Sequence, residues 1–202
     1  MDIPVTDICS FLGLCATVAL TTNFLLGLLL STAYKRHPYW KKVPPIVKKV
    51  SVFKIHNITA YVALVLILLH PLVLVFDPST KFHLKSILLP FFAPVQQVWA
   101  AVGVISMYCF VLVIITSQKV VRKFIGYRVW KNIHLISFLS IIMICLHGVF
   151  MDTQLKDREP DFIDAEKLLS ELCLLALLGA SILRYRYYRL HQLSPAKNAA
   201  IE

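Results

Sequence analysis

The chain has 202 residues, of which 58% are hydrophobic and 16% charged, with a mean hydropathy of +0.71 and a formal charge of +10. A soluble domain carries roughly 45–50% apolar and about 25% charged residues, so no soluble core of this size accommodates these side chains and the solvent must be lipid. The length suits one membrane domain without a second globular one, and 6 Gly with 10 Pro exclude a collagen-like or low-complexity chain.

A helix needs about 20 apolar residues to cross about 30 Å of hydrocarbon. Five stretches qualify in chain order: residues 8–31, 54–76, 98–117, 130–151 and 167–184. Asp2 and Asp7 stand before the first, where a cleaved signal would be basic, so it reads as a true span. Residues 32–53, with Pro44-Pro45 and two Lys-Lys pairs, read as a surface loop with one amphipathic turn. After the second span, Ile87–Phe92 is apolar but short and bracketed by Pro90 and Pro94, an interfacial or re-entrant piece. After the fifth, Arg184-Tyr-Arg-Tyr-Tyr-Arg189 continues the helix into the headgroups. No internal repeat stands out.

Charge sets the topology. Segments 35–54, 119–131 and 184–197 carry 16 of the 21 Lys and Arg, whereas ten of the eleven acids lie on the other side of the membrane. Basic residues at span ends mark the cytoplasmic face. The expected fold is therefore all-α, an integral membrane bundle of five transmembrane helices with the N-terminus outside and the C-terminus cytoplasmic, in one domain over residues 1–202. Loop retention and anionic lipid account for the positive charge without nucleic acid.

The five cysteines (Cys9, Cys15, Cys109, Cys145 and Cys173) form no C-x-x-C pair, which argues against iron–sulfur ligation and covalent c-type haem. No glycine-rich phosphate-binding motif occurs, so a chain of this kind is expected not to oxidise NAD(P)H itself.

Histidines carry the functional signal. His37, His83 and His191 lie outside the spans; His56 and His70 lie on the second span, His134 and His147 on the fourth. Ionisable side chains in hydrocarbon are costly and usually functional, although a single one is more often a hydrogen-bonded structural group. His56 and His70 stand 14 residues apart, about 21 Å along a helix and nearly on one face. The second and fourth spans run in the same direction, so His56 shares a depth with His134 and His70 with His147. Two stacked pairs of facing imidazoles are what two haems with bis-histidine ligation require, whereas zinc needs three or four ligands in one cluster. The 13-residue spacing from His134 to His147 fits badly, because it turns the second ring about 140° from the first on an ideal helix. Either the helix is distorted, with Ser137 or Ser140 bonding back to the preceding turn, or the two sites lie on different sides of it. Pro71 disturbs the partner helix beside His70.

These residues resemble a known family. A His-x13-His helix, a further span and a His-x12-His helix, led by Arg122-Lys-Phe-Ile-Gly-Tyr-Arg-Val-Trp-Lys-Asn-Ile-His134 and closing on Leu146-His-Gly148, are similar to the ferric reductase-like transmembrane domain of ferric reductases and NADPH oxidases. A related stand-alone form is the haem-binding membrane subunit of the bacterial methionine sulfoxide reductase system. The resemblance covers roughly residues 15–190 and implies two haem b, the inner on His56 with His134 and the outer on His70 with His147. It departs from the family where a sixth helix and a fused FAD/NADP(H) domain often occur. The implied function is a diheme electron carrier, an oxidoreductase component of the bacterial inner membrane. It would take electrons from a separate cytoplasmic flavin/NAD(P)H reductase and pass them to ferric iron, oxygen or a periplasmic enzyme outside.

Around these sites, Lys54, Arg128 and Lys131 stand at the inner level as partners for haem propionates, although topology charges at helix ends explain them equally. Lys81, His83 and Lys85 form an outer basic cluster that would attract an anionic ferric chelate, or is an ordinary solvated loop. The acidic run 152–166 would dock a basic protein or cations, with a solvated loop the simpler reading. Phe138 and Met143 fall between the two levels as packing. Two rival functions keep the same residues: a quinone-linked cytochrome b anchor of a respiratory enzyme, and a haem-free structural or transport protein whose histidines hydrogen-bond or relay protons.

Overall fold

The computed structural model describes residues 4–32, 34–36, 38–151, 155 and 165–198. Among the described residues nine α-helices follow one another: α1 (Val5–Ser31), α2 (Pro38–Lys42), α3 (Pro45–Lys48), α4 (Val52–Leu72), α5 (Leu84–Leu88), α6 (Gln97–Ser117), α7 (Lys119–His134), α8 (Ile136–Phe150) and α9 (Ala165–Asn198). Five segments are long and apolar enough to span a bilayer: Val5–Ser31, Val52–Phe76, Gln97–Ser117, Lys119–Phe150 and Lys167–Arg189. The described residues are helical with no strand, as the expected all-α bundle requires. In hydrocarbon every backbone N–H and C=O needs an internal partner, and a helix supplies it.

Two helix pairs build the bundle. α1 lies along α4, α6 along α8, and α9 closes against α1 and α8. Large apolar side chains such as Leu68, Leu112, Ile115 and Leu175 remain exposed on the perimeter, where lipid replaces water. Apolar burial therefore gives little net drive, and small residues that let helices approach supply the packing instead. Ala16, Ala63, Ser106, Ser140, Cys145 and Ser170 are all buried at helix contacts. Ser140 donates to the Ser106 carbonyl at 3.0 Å, crossing from α8 to α6. Ala16, Leu20, Ile67, Val104, Phe110 and Ile144 belong to the same core cluster.

Local chemistry sets the ends. Ser51 caps α4 by accepting from the Lys54 N–H. Pro71 removes one backbone donor in the last turn of α4, and the chain tightens into a 3-10 turn over Val73–Phe76. Asp77 then accepts from the Ser79 N–H at 2.9 Å, and the Ser79 hydroxyl, followed by this N–H, lowers its carboxyl pKa from the ordinary value. The connection 32–53, read as a loop with one turn, instead holds a 3-10 turn, the short helices α2 and α3 and the first two residues of α4. Each short helix begins on a proline, which suits a first helical position because that N–H has no partner anyway. The expected interfacial piece at Ile87–Phe92 is the end of α5 and an irregular stretch that follows it.

We call the end carrying the 32–51 connection and the α6–α7 junction the basic end, and the opposite one the far end. Tyr61 and Gln118 join α4 to α6 near the basic end, the Gln118 amide donating to the Tyr61 hydroxyl at 2.9 Å. Arg184 on α9 donates to the Ser31 hydroxyl and carbonyl at the end of α1.

Candidate functional site

All four candidate histidines lie in the bundle interior, half-buried. At the far end, His70 and His147 lie in an edge-on arrangement with ring centres 6.1 Å apart and planes at 80°. Both line a cavity whose walls include Gly13, Ile67, Gly103, Met107 and Ile144. At the other level lie His56 near the start of α4 and His134 at the end of α7.

A repeated device holds the rings. His70 Nδ1 lies 2.7 Å from the Cys9 carbonyl, His56 Nδ1 3.0 Å from the Asn23 carbonyl and His147 Nδ1 2.8 Å from the Trp99 carbonyl. A carbonyl only accepts, so each Nδ1 carries the proton and each Nε2 keeps a lone pair able to serve a metal. Four residues further along the same neighbouring helix, a glycine makes room for the imidazole. A Cβ on Gly13 would stand 2.9 Å from His70 Cε1, and one on Gly103 2.8 Å from His147 Nδ1. A Cβ on Gly27 would stand 3.3 Å from His56 Cε1. The fourth ring differs: His134 Nδ1 lies 3.3 Å from the Ser117 hydroxyl, which also accepts from Trp130 Nε1 at 3.2 Å. Gly13 and Gly27 are 14 residues apart on α1, and Gly103 and Ser117 are 14 apart on α6. The α1/α4 and α6/α8 pairs are thus built alike, a correspondence the sequence reading did not find.

The awkward 13-residue spacing has a local explanation. Regular α-helical geometry breaks at Leu135, and the Phe138 N–H turns to the Leu135 carbonyl while the Ser137 hydroxyl takes the His134 carbonyl at 2.7 Å. Residues in such a tightened turn advance about 120° rather than 100° each, which closes part of the angular deficit. Ser137 back-bonds as expected; Ser140 bonds across to α6 instead.

Asn23 was missed from sequence. It is buried on α1, and its amide donates to the His56 carbonyl and to Thr59 Oγ1, so Asn23 and His56 grip each other through both backbone and side chain. Trp130 lies against His134 with ring centres 5.1 Å apart, and Arg122 stacks on the indole as well. Lys54, Arg128 and Lys131 are exposed at the basic end. Lys81, His83 and Lys85 are exposed at the far end, where the His83 N–H bonds Ser86 Oγ. Phe138 packs edge-on against Phe24 at 4.6 Å, and Met143 is half-buried. His37 and the acidic run 152–166 lie outside the residues described in full.

A family model for the ferric reductase-like transmembrane component matches residues 12–146, well over half of the chain. The chain belongs to the ferric reductase-like transmembrane family. The match contains His56, His70 and His134 and stops one residue before His147. No curated protein and no solved structure matches significantly. Ferric reductase-like domains generally bind haem and are generally associated with flavin reductases, and the family points to a membrane electron-transfer component.

The far-end residues fit a haem on three counts. Two metal–imidazole bonds of about 2 Å end to end, with about 1 Å more from each nitrogen to its ring centre, put ring centres about 6 Å apart, close to the observed 6.1 Å. Both Nε2 atoms keep a lone pair. The glycines clear the rings' backs. Among the described residues no three His, Cys, Asp or Glu gather in one place, so the donors come as pairs, which suits a porphyrin that brings its own four nitrogens.

Proposed function

We propose that this ferric reductase-like protein is a transmembrane electron carrier holding two haem b, one between His56 and His134 and one between His70 and His147. The observation that carries the reading is the far-end imidazole pair, 6.1 Å apart across a cavity with Nδ1 of both rings engaged by backbone carbonyls. Bound haem supplies a one-electron ferric/ferrous couple at each level. The chain's own contribution is to hold three of the four rings in one tautomer through backbone carbonyls and to surround the pairs with apolar side chains. Lys54, Arg128 and Lys131 are the cations available to propionates at the basic end.

By the positive-inside rule the basic end is cytoplasmic. The donor is then a separate cytoplasmic flavin/NAD(P)H reductase, and the acceptor lies outside: ferric iron, oxygen or a periplasmic enzyme. A bacterial plasma membrane is the setting that suits both. The diagnostic experiment is the absorption spectrum with haem quantification of the purified protein, of His70→Ala and of His134→Ala. The wild type should carry two low-spin haems per chain and each variant one. Colourless wild-type protein, or two haems retained in both variants, overturns the assignment.

A further inference from the structure

Resting on the haem reading above, we infer that Ser117 makes the two sites electrochemically unequal, setting the His56/His134 site at the higher reduction potential. Three of the four histidines give their Nδ1 proton to a backbone carbonyl, at 2.7, 2.8 and 3.0 Å. A strong acceptor there enriches the imidazole in electrons and raises its basicity as a ligand, which favours the oxidised iron and lowers the potential. His70 has a second acceptor, Cys9 Sγ at 3.4 Å. Among the described residues His134 has only the Ser117 hydroxyl, at 3.3 Å, and that oxygen already accepts from Trp130 Nε1 at 3.2 Å.

The position explains why. Ser117 occupies on α6 the place that Gly13, Gly27 and Gly103 occupy beside the other rings. The carbonyl four residues earlier, Val113 O, is the one an imidazole would reach by analogy; the Thr116 hydroxyl, bonded to Leu112 O at 2.8 Å, reaches it only at 3.2 Å. The side chain that stands at 117 in place of a glycine presents its hydroxyl to His134 as the weaker acceptor. The far-end pair thus has two carbonyl acceptors and a sulfur, the basic-end pair one carbonyl and a shared hydroxyl. The electron then rests at the basic-end site until an oxidant at the far end draws it on, which limits discharge to adventitious acceptors.

The test is a spectroscopically monitored redox titration of the purified wild type, Ser117→Ala and Trp130→Phe. The component missing from His56→Ala identifies the basic-end site. Ser117→Ala removes the acceptor and should raise that component alone, by about tenfold in the reduced-to-oxidised ratio at a given potential, about 59 mV for one electron. Trp130→Phe frees a lone pair on Ser117, strengthens it as acceptor and should lower the same component a few-fold. If Ser117→Ala loses the basic-end haem, the sign of the Trp130→Phe shift decides. Two haems present with the basic-end component the lower of the two, unmoved in both variants or shifted with the opposite signs, overturn this inference and leave the haem assignment standing. Absence of haem from the wild type fells both.

Discussion

A histidine in a membrane helix is held by what lies behind it. Gly13, Gly27 and Gly103 leave the volume that the rings of His70, His56 and His147 fill, and the distances rank the three. An added Cβ meets His147 Nδ1 at 2.8 Å and His70 Cε1 at 2.9 Å, but His56 Cε1 only at 3.3 Å. Gly13→Ala and Gly103→Ala should therefore push a far-end ring out of line and cut the haem-to-protein ratio to about half. Gly27→Ala should keep most of it. Alanine is the better helix former by about 1 kcal/mol, so haem loss in the first two cannot be assigned to weakened helices. Full haem content in both Gly13→Ala and Gly103→Ala would show that the glycines are not cradles. The histidines were legible because an ionisable group among apolar residues stands out. Their partners were not, because a glycine in a span looks like any other small residue until antiparallel packing sets Gly13 against His70. Asn23 was equally hidden, since its target is the backbone carbonyl of His56, which no side-chain pattern encodes.

The length of the apolar runs placed the first three spans within a few residues and located α6 nearly to its ends, whereas the fourth segment begins at Lys119 rather than at 130 and the fifth continues to Arg189. Helix periodicity fails where the chain departs from regular helix. The spacing of His134 and His147 announced a distortion, and Leu135 is where it lies; the break at Gly126 had no such herald. Gly126 interrupts α7 with φ 79° and ψ 162°, and the basic arm before it turns away from the segment that leads to His134. That conformation is open essentially to glycine alone and costs other residues about 1–3 kcal/mol. No atom lies within 4 Å of the space a Cβ would take there, so any cost is backbone strain without a clash. Gly126→Ala should lower the thermal unfolding midpoint in detergent by several degrees and weaken the basic-end haem before the far-end one, because Trp130 and His134 follow directly. An unchanged midpoint would mean that the arm can rotate freely about this residue. The short helices α2 and α3 show the converse error: prolines that signal a loop by composition also start helices, and the sequence alone does not say which.

At the scale of the whole molecule, the two helix pairs, the paired rings and the apolar perimeter are nearly indifferent to which face of the membrane they meet, so direction rests on charge. Lys123 is exposed on the arm after α6 and Lys81 is exposed after α4, at opposite ends of the bundle. Translocating a segment with many Lys and Arg is disfavoured during insertion, whereas acids have little influence. The 16 basic residues of the 35–54, 119–131 and 184–197 segments should therefore stay cytoplasmic. With native membranes from cells making Lys81→Cys or Lys123→Cys, a membrane-impermeant maleimide should label the first in intact cells and the second only after permeabilisation. The parent protein, whose Cys9, Cys145 and Cys173 are buried, supplies the background. The reverse pattern would put His56 and His134 at the outer face. The site next to the proposed reductase would then be the His70/His147 pair, whose rings both rest on carbonyls, and the order of potentials we infer for Ser117 would favour outward flow instead of holding the electron back. Orientation thus decides whether the same interior acts as a reservoir or as a downhill wire, and labelling of these two positions separates them.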